Sequence, residues 1–386
     1  MIESHDTEPS GRFRFEDHHE TLERIAVDVT ARHAPEVDAT ATFPSASIDA
    51  LAAARLLGMV SAPEVGGLGG GIAGAAAVVR RLARECPSTA MVVTMHYCGT
   101  AVLEQHADEA TRRQAASGRH LSTLAFSEAG SRSHFWAPTS TARRTKDAIE
   151  LDARKSWVTS AHHASAYVWS SRPVEADGAS TLWLVPATAP GLEAPERFQG
   201  LGLRGNDSTP VTAKGVRVPE SARLGEDGQG FSIMMQTVLP IFDVLISACS
   251  VGIMEATTSR AAAHASGQRY EHMEAALADL PTIRAYLARM RVKTDQAATL
   301  LEDTIAALTH GREDTMLRVL ESKAAAGELS LEVVALGMRV CGGAAYRKDL
   351  GIERFFRDAQ AANVMAPTTD ALYDFIGKAI CGMPLF

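Results

Sequence analysis

The chain has 386 residues, 46 of them acidic and 38 basic, for a formal charge of -8. That balance leaves no electrostatic footprint for wrapping a polyanion, and no basic run alternates with aromatics, so nucleic acid is not an expected partner. The length allows two or three domains and a large buried core.

The first residues, MIESHDTEPSGRFRFEDHHE, are polar and charged, with neither an apolar signal core nor a basic amphipathic pattern. The expected location is the cytosol. From about Phe15 to Ala116 the sequence is Ala-rich and helical in pattern, interrupted by Pro44, Pro63 and the run GGLGGG from Gly66 to Gly71. The apolar residues of IDALAAARLLGMV recur every three or four positions, which predicts one buried helical stripe.

From Leu121 to about Gly230, short apolar or alternating runs such as STLAFSE, AYVWSS and STLWLVPA are separated by Gly, Pro, Asp and Asn clusters. These read as strands, with Asp177-Gly178 marking a hairpin, and their number predicts a small antiparallel sandwich or barrel. From Phe231 onward long helices return. Ile283, Leu287, Met290, Ala297, Leu301, Ile305 and Leu308 keep a spacing of three and four, which predicts bundle packing. Lys323 to Leu336 and Ala366 to Ile380 predict further helices, and Gly342-Gly343 predicts a break.

The expected fold is therefore α+β and mostly helical. It comprises an N-terminal helical domain over 1–118, a small antiparallel β domain over 119–230 and a C-terminal four-helix bundle over 231–386. No stretch reaches the ~20 apolar residues of a membrane span, and the richest, Ile241 to Val251, is interrupted by Asp243, so no membrane contact is expected. The five cysteines form no CxxC pair and have no His at ligand spacing, which predicts reduced thiols and no metal site.

Several motifs carry a family resemblance. LAFSEAGS is similar to a strand and turn reading "xxTEPxAGS", KSWVTSAHHA to "KxWITNxxxA", and GLRGNDSTPVTAKGVRVPESARLGEDGQGF to a "GxRxSxT" segment running into "VPxxnxLGxxGxGF". RVCGGAAYRKDLGIERFFRDA matches "QxxGGxGyxxxxPxxrxxRDa" without a gap. In this order, over nearly the whole chain, the motifs resemble the FAD-dependent acyl-CoA dehydrogenase superfamily.

The resemblance implies FAD as cofactor. Phe126, Ser127, Trp157, Val158 and Thr159 would face its ring, and Ser131, Arg269, Thr368 and Asp370 would contact it elsewhere. Arg339, Gly342 and Gly343 would approach the FAD pyrophosphate of a neighbouring subunit in a homodimer or homotetramer. Glycines there let backbone N–H groups near phosphate oxygens, and an arginine supplies charge. A plain helix C-cap is the alternative for the Gly pair. The implied substrate is an acyl thioester on CoA or a carrier protein, with a possible electron-transfer partner.

The chain departs from that family where the chemistry is usually done. The glutamate that takes the α-proton in most relatives is replaced by Ala366, followed by Pro367, and the position used by a minority carries Phe242. The family's "RxxFG" segment is reduced to GQRYEHM, leaving Arg269. Asp243, among apolar neighbours, is the candidate base, since desolvation would raise its pKa; a first-turn residue after Pro240 is the structural alternative.

His96, His134, His162 and His163 lie near the same motifs and read as polar fillers or as bases. Glu128, Arg354, Arg357 and Asp358 read as caps and ion pairs. Three functions follow: oxidation of an acyl thioester with Asp243 as displaced base, a flavin monooxygenase of the same fold, and a redox-inert binding relative.

Overall fold

Helices come first where alanine is dense. In a computed structural model describing residues 14–131, 134–270, 272 and 275–385, they are α1 (Glu16–Arg24), α2 (Ala31–Thr40), α3 (Ser45–Ala53), α4 (Gly71–Ala83), α5 (Pro87–His106) and α6 (Glu109–Ala116). Pro87 opens α5, where its missing N–H costs no bond, and Asp108 caps α6 by accepting from the Thr111 N–H. The predicted stripe through IDALAAARLLGMV is interrupted. α3 ends at Ala53 because Arg55 takes φ 61°, from which its guanidinium donates to the Gly66 carbonyl. Leu56, Leu57 and Met59 still reach the core.

The β region holds β1 (Ser122–Ala125), β2 (Thr141–Arg144), β3 (Ile149–Val158), β4 (Ala166–Ser171), β5 (Thr181–Pro186), β6 (Leu192–Glu193), β7 (Thr209–Val218) and β8 (Arg223–Leu224). They form two four-stranded sheets, ordered β1-β4-β5-β8 and β2-β3-β7-β6. The antiparallel expectation fails at one pair, since β1 runs parallel to β4 with Ser122 opposite Ala166. Strands β3 and β7 alternate buried and open positions, as a sheet with one wet face requires. Ile149, Leu151, Val158, Trp169, Trp183 and Val211 share the core of this region.

The chain then turns into α7 (Gly230–Ile233) and, through a π-helical stretch, α8 (Leu239–Gly267). A short ribbon of β9 (Arg269–Tyr270) and β10 (Ala275–Ala276) leads to α9 (Pro281–His310), α10 (Thr315–Cys341), α11 (Ile352–Val364) and α12 (Thr369–Ile380). α12 starts at Thr369, so Ala366 lies in the connection before it rather than in a helix. α10 packs against α8, α9, α11 and α12. Close approach is set by small residues: a Cβ on Gly337 would meet Thr257 Cγ2 at 2.5 Å.

The helical stretch Gly230–Gly267 is long and apolar enough to cross a membrane by length and composition, which revises the sequence reading. Its most apolar window is 89% buried inside this fold, where it serves as core.

Candidate active site

A cavity of about 690 Å³ opens between the ends of β1 and β3 and the helices α5, α8 and α11. Phe126, Ser127, Trp157 and Thr159 line one wall, and Met91, Met95, Phe242 and Ala366 line another. The first wall exists because β3 bulges. Its register against β7 slips between Lys155 and Val158, and Trp157 there takes φ 57°. The slip turns Trp157 outward beside Phe198, with ring centroids 4.3 Å apart, while Val158 points into the β core with no exposure. Val158 is therefore corrected from a ring-facing residue to a core residue. The Ser156 N–H donates to the Ser127 carbonyl at 2.9 Å, tying the two strand ends together.

Beneath this wall Glu128 and Lys155 form a fully buried pair at 2.6 Å. Ser140 and Thr139 donate to the carboxylate, and Lys155 donates to the Ser170 carbonyl at 2.7 Å. Burial pushes the Glu128 pKa up, but the ammonium beside it and these donors hold it below the ordinary carboxylate range. Burial pushes Lys155 down to about 8 against the pull of Glu128.

Leu203, Arg204, Asn206 and Ser208 complete the mouth. The Leu203 N–H donates to Asp358 Oδ1 at 2.6 Å, which fastens this loop to α11, and Arg357 donates to both oxygens of Asp38, which fastens α11 to α2. Burial raises Asp358 to about 7. Arg354 donates to the Glu85 carbonyl.

Asp243 stands next to the cavity but not on its wall. It is fully buried, and its neighbour Phe242 is the residue that reaches the lining. The candidate base named from sequence thus lies behind the lining rather than on it. The first-turn alternative is corrected, because Pro240 lies within the continuous helical stretch from Gly230. Neither carboxyl oxygen has a hydrogen-bond partner among the described residues. Burial raises its pKa, opposed by the charge of Lys323.

Lys323, also buried, donates to the carbonyls of Met365, at 3.1 Å, and Pro367, on either side of Ala366. Burial lowers its pKa, opposed by Asp243. The buried pair therefore sits behind the two wall positions, Phe242 and Ala366, that carry no proton acceptor.

The other residues singled out from sequence lie off the cavity wall. Ser131 closes a turn on the Glu128 carbonyl. Arg269 is on β9, and Arg339 lies at the end of α10, where it stacks on Tyr286 at 4.4 Å. Gly342 and Gly343 are exposed, and a Cβ on either would meet nothing within 4 Å, so their backbone is open to an incoming group. Gly342 is at the same time the C-cap of α10. The Thr368 hydroxyl caps α12 through the Ala371 N–H, and Asp370 is exposed in that first turn.

His96 is buried with both ring nitrogens bonded, to Leu57 O and the Ser122 N–H. His134 packs edge-on against Trp136. His162 and His163 share Asp207. Sequence reasoning passed over Met91, Met95, Lys323 and the loop residues Arg204, Asn206 and Ser208. The last three stand inside the "GxRxSxT" resemblance, which was the available signal.

A wall of hydroxyls and turned backbone facing an apolar wall suits a flat ring rich in acceptors, with an acyl chain beyond it. Thr159 and Ser127 fit that ring. The open glycine backbone and the Arg339 guanidinium fit a phosphate group.

Family models described as acyl-CoA dehydrogenase N-terminal, middle and C-terminal domains match residues 16–118, 123–216 and 228–381. The human mitochondrial short-chain specific acyl-CoA dehydrogenase is 29% identical over 348 residues, 87% of this chain and 82% of that one. A probable acyl-CoA dehydrogenase, YngJ of Bacillus subtilis, is 26% identical over 363 residues, 91% of this chain and 93% of that one. The solved structure of butyryl-CoA dehydrogenase from Megasphaera elsdenii superposes with a TM-score of 0.89 at 20% identity, covering 95% of this chain and 98% of that one.

Proposed function

The chain belongs to the acyl-CoA dehydrogenase family, and from that premise we propose that it is an FAD-dependent oxidoreductase removing two hydrogens from the α,β positions of an acyl thioester. The observation that carries this reading is the cavity itself, in which LAFSEAG and KSWVT meet on a polar wall across from an apolar pocket. Bound along the polar wall, FAD supplies a two-electron acceptor for the hydride leaving the β-carbon.

In this reading Thr159 and Ser127 hold the ring. Arg339, Gly342 and Gly343 serve the FAD of a second subunit, so the active form is a homodimer or homotetramer. Thr368 and Asp370 border that same end, and Arg269 contributes charge to it. Met91, Met95 and Phe242 enclose the acyl group. Electrons then pass to an electron-transfer partner.

The proton acceptor we propose is Asp243. Its raised pKa suits a base working near neutrality, and its unpartnered oxygens leave it free to accept. It reaches the α-carbon when the Phe242 side chain rotates away. A thioester carbonyl held by fixed donors is required as well, because the α-proton is otherwise too weak an acid.

A second reading, a monooxygenase using reduced flavin and O₂, is favoured by one observation. Both wall positions that would hold a base carry Phe242 and Ala366. The test is anaerobic mixing of oxidised holoenzyme with short and branched acyl thioesters, presented on CoA and on a carrier protein. Flavin bleaching that disappears in Asp243→Asn is expected. Absence of bleaching with every thioester, together with O₂ consumption coupled to substrate hydroxylation, would decide for the monooxygenase.

A further inference from the structure

Two short segments, 157–164 and 203–208, form the polar side of the cavity, and both hold strained backbone. Trp157, Ser160, Leu203 and Asp207 take φ of 57°, 56°, 49° and 56°, a region L side chains occupy only where the surroundings hold them. What holds them is visible. The Ser160 N–H donates to the Asn206 carbonyl at 2.9 Å, and the Ala161 N–H to the Asp207 carbonyl at 3.1 Å.

The Asp207 side chain closes the arrangement. It is 1% exposed; Oδ1 accepts from His162 Nδ1 at 2.8 Å, while Oδ2 accepts from the His162 N–H at 2.8 Å and from His163 Nδ1 at 2.9 Å. The His163 ring in turn lies flat on Phe43, 3.9 Å away with 4° between planes. Phe43 belongs to the connection between α2 and α3, so one carboxylate ties both wall segments to the helical domain. Thr159, Asn206 and Ser208, whose side chains line the cavity, sit within one or two residues of these ties, and Thr159 Oγ1 meets Ser208 Oγ at 3.3 Å across the seam.

We propose that Asp207, bridging His162 and His163, is a positioning residue that fixes the spacing of the two wall segments and so aims Thr159, Asn206 and Ser208 at the flavin ring. This rests on the reading of the cavity as the flavin site. A carboxylate serves where an amide would not, because both imidazoles present Nδ1 and only an acceptor-only group satisfies both along with the His162 N–H.

The test compares Asp207→Asn, Asp207→Ala, His162→Gln and His163→Gln with Asp152→Asn. The last removes a carboxylate of the same domain that accepts from the Gly215 N–H. Amide hydrogen exchange is followed in the apo chain over 157–164 and 203–208, and FAD dissociation and the visible flavin spectrum are measured in the reconstituted protein.

Exchange should rise in both segments together in the Asp207 variants. FAD binding should weaken about tenfold in Asp207→Asn, the worth of one charge-assisted hydrogen bond, and further in Asp207→Ala. Each histidine variant should fall between wild type and Asp207→Asn, and Asp152→Asn should change neither readout. Unchanged exchange in both segments, or an FAD affinity no lower than that of Asp152→Asn, would overturn the proposal. If the wild-type chain takes up no FAD, the cofactor reading fails, while the exchange measurement still decides whether Asp207 clamps the wall. Should Asp207→Ala not fold, Asp207→Asn and the histidine variants carry the same comparison.

Discussion

Replacing Asp243 by Asn tests whether the buried carboxyl takes the α-proton, and adding Ala366→Glu tests where that proton must go. Loss of a positioned base costs about 10² to 10⁴ in rate, which is about 3 to 5 kcal/mol of barrier. Asp243→Asn should therefore slow thioester-driven flavin bleaching by that factor in a single-turnover anaerobic experiment. Ala366 lines the cavity, so a glutamate there presents its carboxylate to the acyl group directly, with no movement of Phe242. The double variant should recover most of the lost rate.

The fold must be checked in parallel, because Asp243→Asn removes the carboxylate whose charge acts on the buried Lys323 ammonium, leaving it the Met365 and Pro367 carbonyls and the Phe242 ring 5.9 Å away. Because the two groups make no direct ion pair and the ammonium keeps two carbonyl acceptors, the cost should stay below the roughly 3 to 5 kcal/mol of breaking a paired buried bridge. Circular dichroism and FAD content at the assay temperature separate that loss from a chemical one. If Asp243→Asn bleaches within threefold of wild type, or if Ala366→Glu restores nothing in a folded, FAD-loaded double variant, the assignment of Asp243 as base is refuted.

Three further outcomes are expected. Lys155→Met should destabilise the β domain by about 3 to 5 kcal/mol, because Glu128 is left buried without its cation; urea midpoints should show that adding Glu128→Gln recovers part of the loss. Burial raises the Asp227 pKa, but the Thr181 hydroxyl and the N–H groups of Glu175, Val174 and Ala176 bring it to about 2, from 3.8 when unfolded. That stabilisation is present above the unfolded value and is lost as pH falls through the folded one. Asp227→Asn should then cost about 1 kcal/mol near neutrality after allowance for solvent screening, with the gap to wild type closing between about pH 4 and pH 2 in denaturation series. Arg339→Ala should weaken FAD retention about ten- to a hundredfold, the worth of charge-assisted phosphate contacts, while sedimentation shows the oligomer unchanged. Equal retention would remove Arg339 from the cofactor site.

The helical repeat of α9 was legible because Ile283, Met290, Ala297 and Leu301 all fall on the stripe it buries. Strands β3 and β7 were legible for the same kind of reason, an alternation that one wet face imposes. The parallel pairing of β1 with β4 was not, since β1 is buried throughout and its four residues carry no alternation to set direction. Trp157 and Val158 were indistinguishable as a pair until the bulge sent one outward and the other into the core. The placement of Asp243 was hidden in a similar way. Neighbouring residues on a helix point about 100° apart, so apolar surroundings marked the segment without saying whether Phe242 or Asp243 met the cavity.

That one-residue offset bears on why the buried pair is there at all. Asp243 and Lys323 make no direct ion pair, and both of Asp243's oxygens lack partners among the described residues. Replacing such a pair by apolar residues of similar volume is often neutral or stabilising, so packing alone gives no reason for these charges. The cavity wall in front of them carries Phe242 and Ala366, on two different elements, and neither accepts a proton. A carboxyl with raised pKa behind one of those residues, and an ammonium bonded to the carbonyls flanking the other, place the available proton chemistry one layer back from the substrate. On the proposed reading, the fold keeps an acid and a base near the reacting end while presenting an apolar face to the acyl group. In the proposed mechanism, rotation of Phe242 would be the step that joins the two layers.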